Sequence, residues 1–189
     1  AYEIRRDTIV LGKPDAELPV LIRSYFWKIV ACVLKPYAPY MITGITAIQS
    51  YLDNESVPKE LTVLTRSSST RINLHEISFL ILEKNQNFFQ HSNLAKRIRF
   101  IKVNKFYELA VESPESLLTH LRPQYLRDYP QVISAFLKAI DFKLEDLRMF
   151  LLEESRPIVY LRLAMLFEQI KKHAESKLIR DMIKITTSY

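Results

Sequence analysis

"YMITGITAIQSYL", residues 40–52, decides how the chain is read, because it holds one of only two glycines in 189 residues. Met41 and Ile42 read as a brief extended segment. Thr43 suits a helix N-cap, and the stretch from Gly44 to about Leu52 has helical period. Ile45, Ile48 and Leu52 would share one face at i, i+3 and i+7. Lacking a Cβ, Gly44 would let the helix start approach another backbone closely. A strand running into a helix through such a turn is a scaffold joint. A phosphate cradle needs several glycines in one loop, and the other glycine, Gly12, stands far away.

Towards the N-terminus, "IRRDTIVL" at 4–11 predicts one short strand ended by Gly12, Lys13 and Pro14. Asp15 suits an N-cap, and Pro19 falls in a first turn, where a missing N–H is tolerated. From 17 to 35 the period is helical. Leu18, Ile22, Tyr25, Phe26, Ile29, Val30 and Val33 form a broad apolar face, and Glu17, Ser24, Lys28 and Lys35 a narrow polar stripe. "KPYAP" ends this helix, since each proline disfavours helix in the residue before it.

Towards the C-terminus, "LTVLT" (61–65), "TRINL" (70–74), "EISFLIL" (76–82), "RIRFIKV" (97–103) and "FYELA" (106–110) are strand-like. "RSSST" reads as a hairpin turn between the first two, and His75 as a turn or bulge. "SPESLL" opens a helix with Ser113 as N-cap, Pro114 at N1 and Glu115 in the first turn. Beyond it, "YPQVISAFLKAI", "KLEDLRMFLLEES", "RPIVYLRLAMLFEQIKK" with Pro157 at its start, and "ESKLIRDMIK" are helical. Helices, a strand-rich middle and a helical C-terminal third predict an α+β fold rather than alternating α/β. The expected division is an N-terminal strand and buried helix at 1–35, a core at 36–122 and helices at 123–189.

Composition narrows the class. With 48% hydrophobic and 25% charged residues the chain has globular, not disordered, proportions. One cysteine, Cys32, excludes an internal disulfide and favours a reducing compartment. The longest apolar run, "IVACVL", is too short to span a membrane. No secretory signal opens the chain, so cytoplasm is expected, and the start inside a strand without Met leads us to expect upstream sequence. A net charge of +6 favours an acidic partner or nucleic acid.

No catalytic constellation is legible. Glycines at 12 and 44 alone cannot write a P-loop, a dinucleotide fingerprint or a nucleophile elbow. "HEISF" at 75–79 lacks the second histidine of a zinc protease motif, and His75, His91, His120 and His173 are scattered. Cys32 is expected to be a buried, inert thiol, and Glu153 and Glu154 a solvated helix end. No metal or cofactor is expected. The best positive signal is "KRIRFIKVNK", residues 96–105, with Lys96, Arg97, Arg99, Lys102 and Lys105 and no acid among them. It reads either as an edge strand guarded against aggregation or as a docking site for phosphates or an acidic protein. Arg66 and Arg71, flanking "SSST", form a second candidate patch.

Three stretches together resemble the AbiEi family: "YMITGITAIQSYL" followed by "VPKELTVLT", then "KFYELAVESPESLLTHL", then "YLRLAMLFE". Thr43, Gly44 and Ala47 match the first element, Ser113, Pro114 and Glu115 the second, and Arg162, Leu163, Leu166 and Glu168 the third. The likeness covers about residues 36–170. Ser116 stands where the family carries arginine. The resemblance implies an antitoxin and transcriptional regulator of a bacterial type IV toxin–antitoxin system, not an enzyme. Its partner would be a nucleotidyltransferase toxin, with DNA as a further ligand through a winged helix upstream. "VLIRSYFWKIVACVL" before "MITGITAI" also resembles the region ahead of some bacterial Fic domains. That alternative implies a non-catalytic regulatory domain of a Fic-type AMP-transferase, covalently linked to its catalytic half.

Overall fold

In the computed structural model, residues 2–5, 8–10, 17–52, 57–74, 77–84, 88–89, 94–102, 108–153 and 156–187 are described. The fold is α+β, as the order of apolar periods predicts. The chain divides into two compact units, residues 1–112 and 113–189. The division falls between Glu112 and Ser113, so the "SPE" turn opens the helical unit instead of lying inside a core at 36–122.

The first unit begins with β1 (Tyr2–Arg5) and β2 (Thr8–Val10), which pair antiparallel. The stretch expected to be one strand at 4–11 is therefore a hairpin. No glycine or asparagine stands in the sequence between the two strands, so their pairing left little trace there. The helix expected over 17–35 is two, α1 (Leu18–Ser24) and α2 (Phe26–Leu34). Tyr25 joins them, its N–H donating to the Leu21 carbonyl at 3.0 Å and its carbonyl accepting from Ile29 at 2.9 Å. Pro19 sits in the first turn, whereas Glu17 is the N-cap; Asp15 lies outside the described residues. The break turns Tyr25 to solvent, with the Lys28 ammonium 5.1 Å from its ring centre. Phe26, Ile29, Val30, Val33 and Leu34 are buried at helical spacing.

Cys32 is exposed, not buried. It follows Lys28 by one turn and precedes Lys35 by three residues, which places it on the polar stripe. The apolar neighbours in sequence belong to the other face of the helix.

The strands β3 (Tyr40–Thr43), β4 (Glu60–Thr65), β5 (Thr70–Leu74), β6 (Ile77–Glu83), β7 (Ile98–Lys102) and β8 (Glu108–Glu112) form one mixed sheet in the order β5-β6-β4-β3-β8-β7. α3 (Gly44–Leu52) follows β3, and a single turn, α4 (Leu94–Arg97), precedes β7. β4 and β5 are not hairpin partners. β6 lies between them, parallel to β4 and antiparallel to β5. The alternation in β6 buries Ile77, Phe79 and Ile81, and a strand with that much apolar surface takes an interior place in the sheet. "RSSST" therefore crosses a strand instead of turning a hairpin, and His75 lies outside the described residues.

Register sorts the sheet into two faces. Ile42, Leu61, Val63, Phe79, Ile81, Leu109 and Val111 lie on one and are buried. On the other, Met41 pairs with Leu64 and Leu64 with Leu82, and Phe89 packs there with Phe88, Leu94 and Ile98.

Gly44 has φ 69°, in the left-handed region, where a Cβ would crowd the following carbonyl. The glycine is required by backbone handedness at the strand-to-helix turn, a different reason from close approach. The Thr43 hydroxyl donates to the Glu112 carboxylate, and the Tyr51 hydroxyl donates to the Glu112 carbonyl at 2.9 Å. The joint between β3 and α3 is thus tied to the end of β8. α3 buries Thr46, Ala47, Ile48 and Ser50, while Leu52 is exposed. Its buried face is therefore rotated from the expected Ile45–Ile48–Leu52 line, because the Thr46 hydroxyl is drawn to the Glu60 carbonyl at 2.7 Å.

The second unit is helical: α5 (Pro114–Thr119), α6 (Pro123–Asp128), α7 (Pro130–Ala139), α8 (Leu144–Glu153), α9 (Pro157–Gln169) and α10 (His173–Thr187). Four of them start on proline, whose fixed φ suits a first helical position; α6 was not foreseen. Phe136, Phe142 and Phe167 meet edge to face, with centroid distances of 5.9 and 5.4 Å. Lys172 lies 4.9 Å from the Phe142 ring centre, and its ammonium donates to the Ile140 carbonyl.

Candidate functional site

Three cations converge on one aromatic pair. Phe88 and Phe89 meet edge to face with ring centres 5.1 Å apart. The Arg66 guanidinium lies 5.8 Å from the Phe89 centre, and Lys84 and Arg97 lie 5.7 and 5.5 Å from that of Phe88. Arg66 follows the end of β4 and Lys84 the end of β6. Since those strands run parallel and in register, both cations leave the sheet at the same end. Arg97 closes α4 and is buried. Cation–aromatic contacts contribute about 0.5–1 kcal/mol each when exposed and about 2 when desolvated. The cluster is thus locally stable, and it concentrates positive charge beside an apolar surface.

The sequence-predicted basic residues divide. Arg66 and Arg97, assigned to separate patches, come together on the Phe pair. Lys96 is exposed on α4. Arg99 is half-buried and stands in register with Val111, on the sheet face away from the cluster. Lys102 is exposed opposite Glu108. Lys105 lies outside the described residues. Arg71 sits on the edge strand β5, where its guanidinium reaches the Glu60 carboxylate at the start of β4, at 3.5 Å, with both side chains about half exposed. An exposed pair of that kind contributes about 0–1 kcal/mol. Lys84, Phe88 and Phe89 were missed. Their signal was the acid-free run "KNQNFFQ", which has neither helical nor alternating period and so carried no strand or helix assignment.

The residues on which the AbiEi resemblance rests occupy joints. Ser113 caps α5, its hydroxyl accepting from the Ser116 N–H at 3.4 Å, with Pro114 at the first helical position. The Glu115 carboxylate is buried and accepts from the Lys143 N–H at 2.9 Å, just ahead of α8. Arg162 donates to the Leu121 carbonyl at 3.1 Å, holding the chain that leaves α5. Glu168 pairs with Arg180 between α9 and α10. Each of these contacts fixes one element against another within its unit.

Among the described residues, no group of three His, Cys, Asp or Glu side chains is arranged to hold a metal ion. None of their helices is long and apolar enough to cross a membrane. No protein-family model matches the chain, and no curated protein or solved structure is significantly similar to it.

Proposed function

We propose that this chain is a regulatory binding module of the AbiEi type, the antitoxin of a bacterial type IV toxin–antitoxin system. It works in the cytoplasm by gripping an anionic partner rather than by making or breaking a bond. The support comes first from the gathering of Arg66, Lys84 and Arg97 on the Phe88–Phe89 pair. Charge presented on a packed aromatic base, at the end of a rigid sheet, suits recognition of an acidic surface or phosphates. Within the unit that carries this surface, Thr43 and Gly44 supply the joint between β3 and α3, tied to the end of β8.

The reading is tested by co-expressing the chain with a nucleotidyltransferase encoded beside its gene. Growth arrested by that enzyme is restored when the module is present. Arrest that persists despite soluble, folded module removes the antitoxin role.

A further inference from the structure

The net charge of the chain is +6, from 27 Lys and Arg against 21 Asp and Glu. Residues 84–107 hold six of the cations, Lys84, Lys96, Arg97, Arg99, Lys102 and Lys105, and no acid. The remaining 21 cations and 21 acids cancel, so this one segment carries the entire excess. A protein balanced everywhere else has concentrated its positive charge where the Phe88–Phe89 pair and β7 are built.

An aromatic side chain stands beside this charge. Phe100 is 68% exposed, the most exposed of the large apolar side chains among the described residues. It shares a sheet face with Ile98, which packs against the Phe88–Phe89 cluster, and with Lys102. Along that face the row runs from Leu82 through Leu64 and Met41 to Ala110 and Phe100. Met41 and Leu64 are buried in one cluster with Phe89, against which Phe88 and Leu94 pack. Ala110 is buried too, so Phe100 alone of the row is exposed. Lys84 and Arg66 follow at the end of the strands that carry Leu82 and Leu64. Three strand spacings, about 14 Å, separate the strand of Phe100 from that of Arg66. A lone phosphate cannot bridge that span, whereas a short polyanion can.

We propose that the surface formed by Phe100 and the cation-bearing Phe88–Phe89 cover of this face binds single-stranded nucleic acid. Phe100 stacks on a base, and Arg66, Lys84 and Lys102 hold backbone phosphates on either side. A flat aromatic among cations on a sheet surface is the recurring platform for unpaired bases. In a duplex those base faces are hidden inside the stack, and an acidic peptide has none to offer. Glu108, across from Lys102, and Glu112, across from Ile98, are the acids on this face nearest Phe100 by register. Glu108 is exposed and lowers the charge at its end, whereas Glu112 is buried and accepts from the Thr43 hydroxyl. The inference deepens the binding-module reading and rests on it for the assignment of this surface to partner recognition.

The test is fluorescence anisotropy of the full chain with labelled oligo(dT) and oligo(U) twelve-mers, a duplex of the same length and a poly-glutamate peptide. Single strands bind more tightly than the duplex or the peptide at equal salt. Phe100→Ala weakens single-strand binding about tenfold with an unchanged salt slope, and Phe100→Trp retains it. Arg66→Gln with Lys84→Gln makes the slope of log affinity against log salt shallower by about 1.4. Duplex or peptide bound as tightly as single strand, no binding at low salt, or Phe100→Ala without effect overturns the proposal. Oligonucleotide binding with no rescue of growth removes the antitoxin role alone; rescue without oligonucleotide binding removes this inference alone.

Discussion

Three single residues carry conformational or electrostatic demands that can be measured. Gly44 turns β3 into α3 at φ 69°, and an alanine there forces a Cβ into the left-handed region. Gly44→Ala is expected to lower the unfolding free energy by about 1–2 kcal/mol, read from a denaturant titration with unchanged m-value. Lys171 is the reverse case. It has φ 63° after α9, its N–H donating to the Glu168 carbonyl at 3.0 Å while the Lys172 N–H reaches the Phe167 carbonyl at 2.9 Å. This is a Schellman ending with lysine where glycine is usual. Lys171→Gly is expected to stabilise the protein by about 1 kcal/mol, a rise of about 2–4 °C in melting temperature. Tyr40 is held above the usual phenol value, first by burial, with the Ala110 backbone opposing. The folded state therefore keeps its proton to higher pH than the unfolded chain. The stability it contributes is fully present below about pH 10 and is lost as pH rises further. Tyr40→Phe removes this dependence, so the stability difference between the two proteins is flat up to about pH 9 and shifts towards the variant above pH 10.

At the scale of elements, the sequence was legible where one physical signal acted alone. Ser113, Pro114 and Glu115 announce a helix start, and the structure uses Ser113 and Pro114 as written. Glu115 does something a local reading cannot foresee: its carboxylate reaches 28 residues along the chain to the Lys143 N–H. Glu115→Ala is expected to cost about 1.5–3 kcal/mol, because a buried charge-assisted hydrogen bond is lost. Protection of the α8 amides from hydrogen exchange should fall with it, and unchanged protection would contradict the role. Strand pairing was less legible than strand position. All of the strands from β3 to β8 were located, yet the insertion of β6 between β4 and β5 is a long-range outcome that turn residues do not encode. The break at Tyr25 and the exposure of Cys32 have a different cause. There the helical period was available, and apolar neighbours in sequence were read as neighbours in space.

At the scale of the whole molecule, the candidate site was half legible. Charge placed Arg66 and Arg97 among the candidates, but their meeting on Phe88 and Phe89 depends on the sheet register and on a segment without period. Arg71 and Arg99 looked equivalent to them in sequence; Arg71 reaches Glu60 at the start of β4, the end of the strands away from Arg66 and Lys84, and strand parity turns Arg99 to the other face. The proposed working surface of the antitoxin module is the cation-ringed aromatic cluster. The most direct measurement is growth of cells expressing a nucleotidyltransferase encoded beside the gene, the partner this proposal requires, together with either the wild-type chain or its Arg66→Gln, Lys84→Gln double variant. Both replaced residues are exposed, so the variant should fold as the wild type does. The account predicts growth with the wild type and arrest with an equally abundant, folded double variant. Arrest with both, or growth with both, would contradict it.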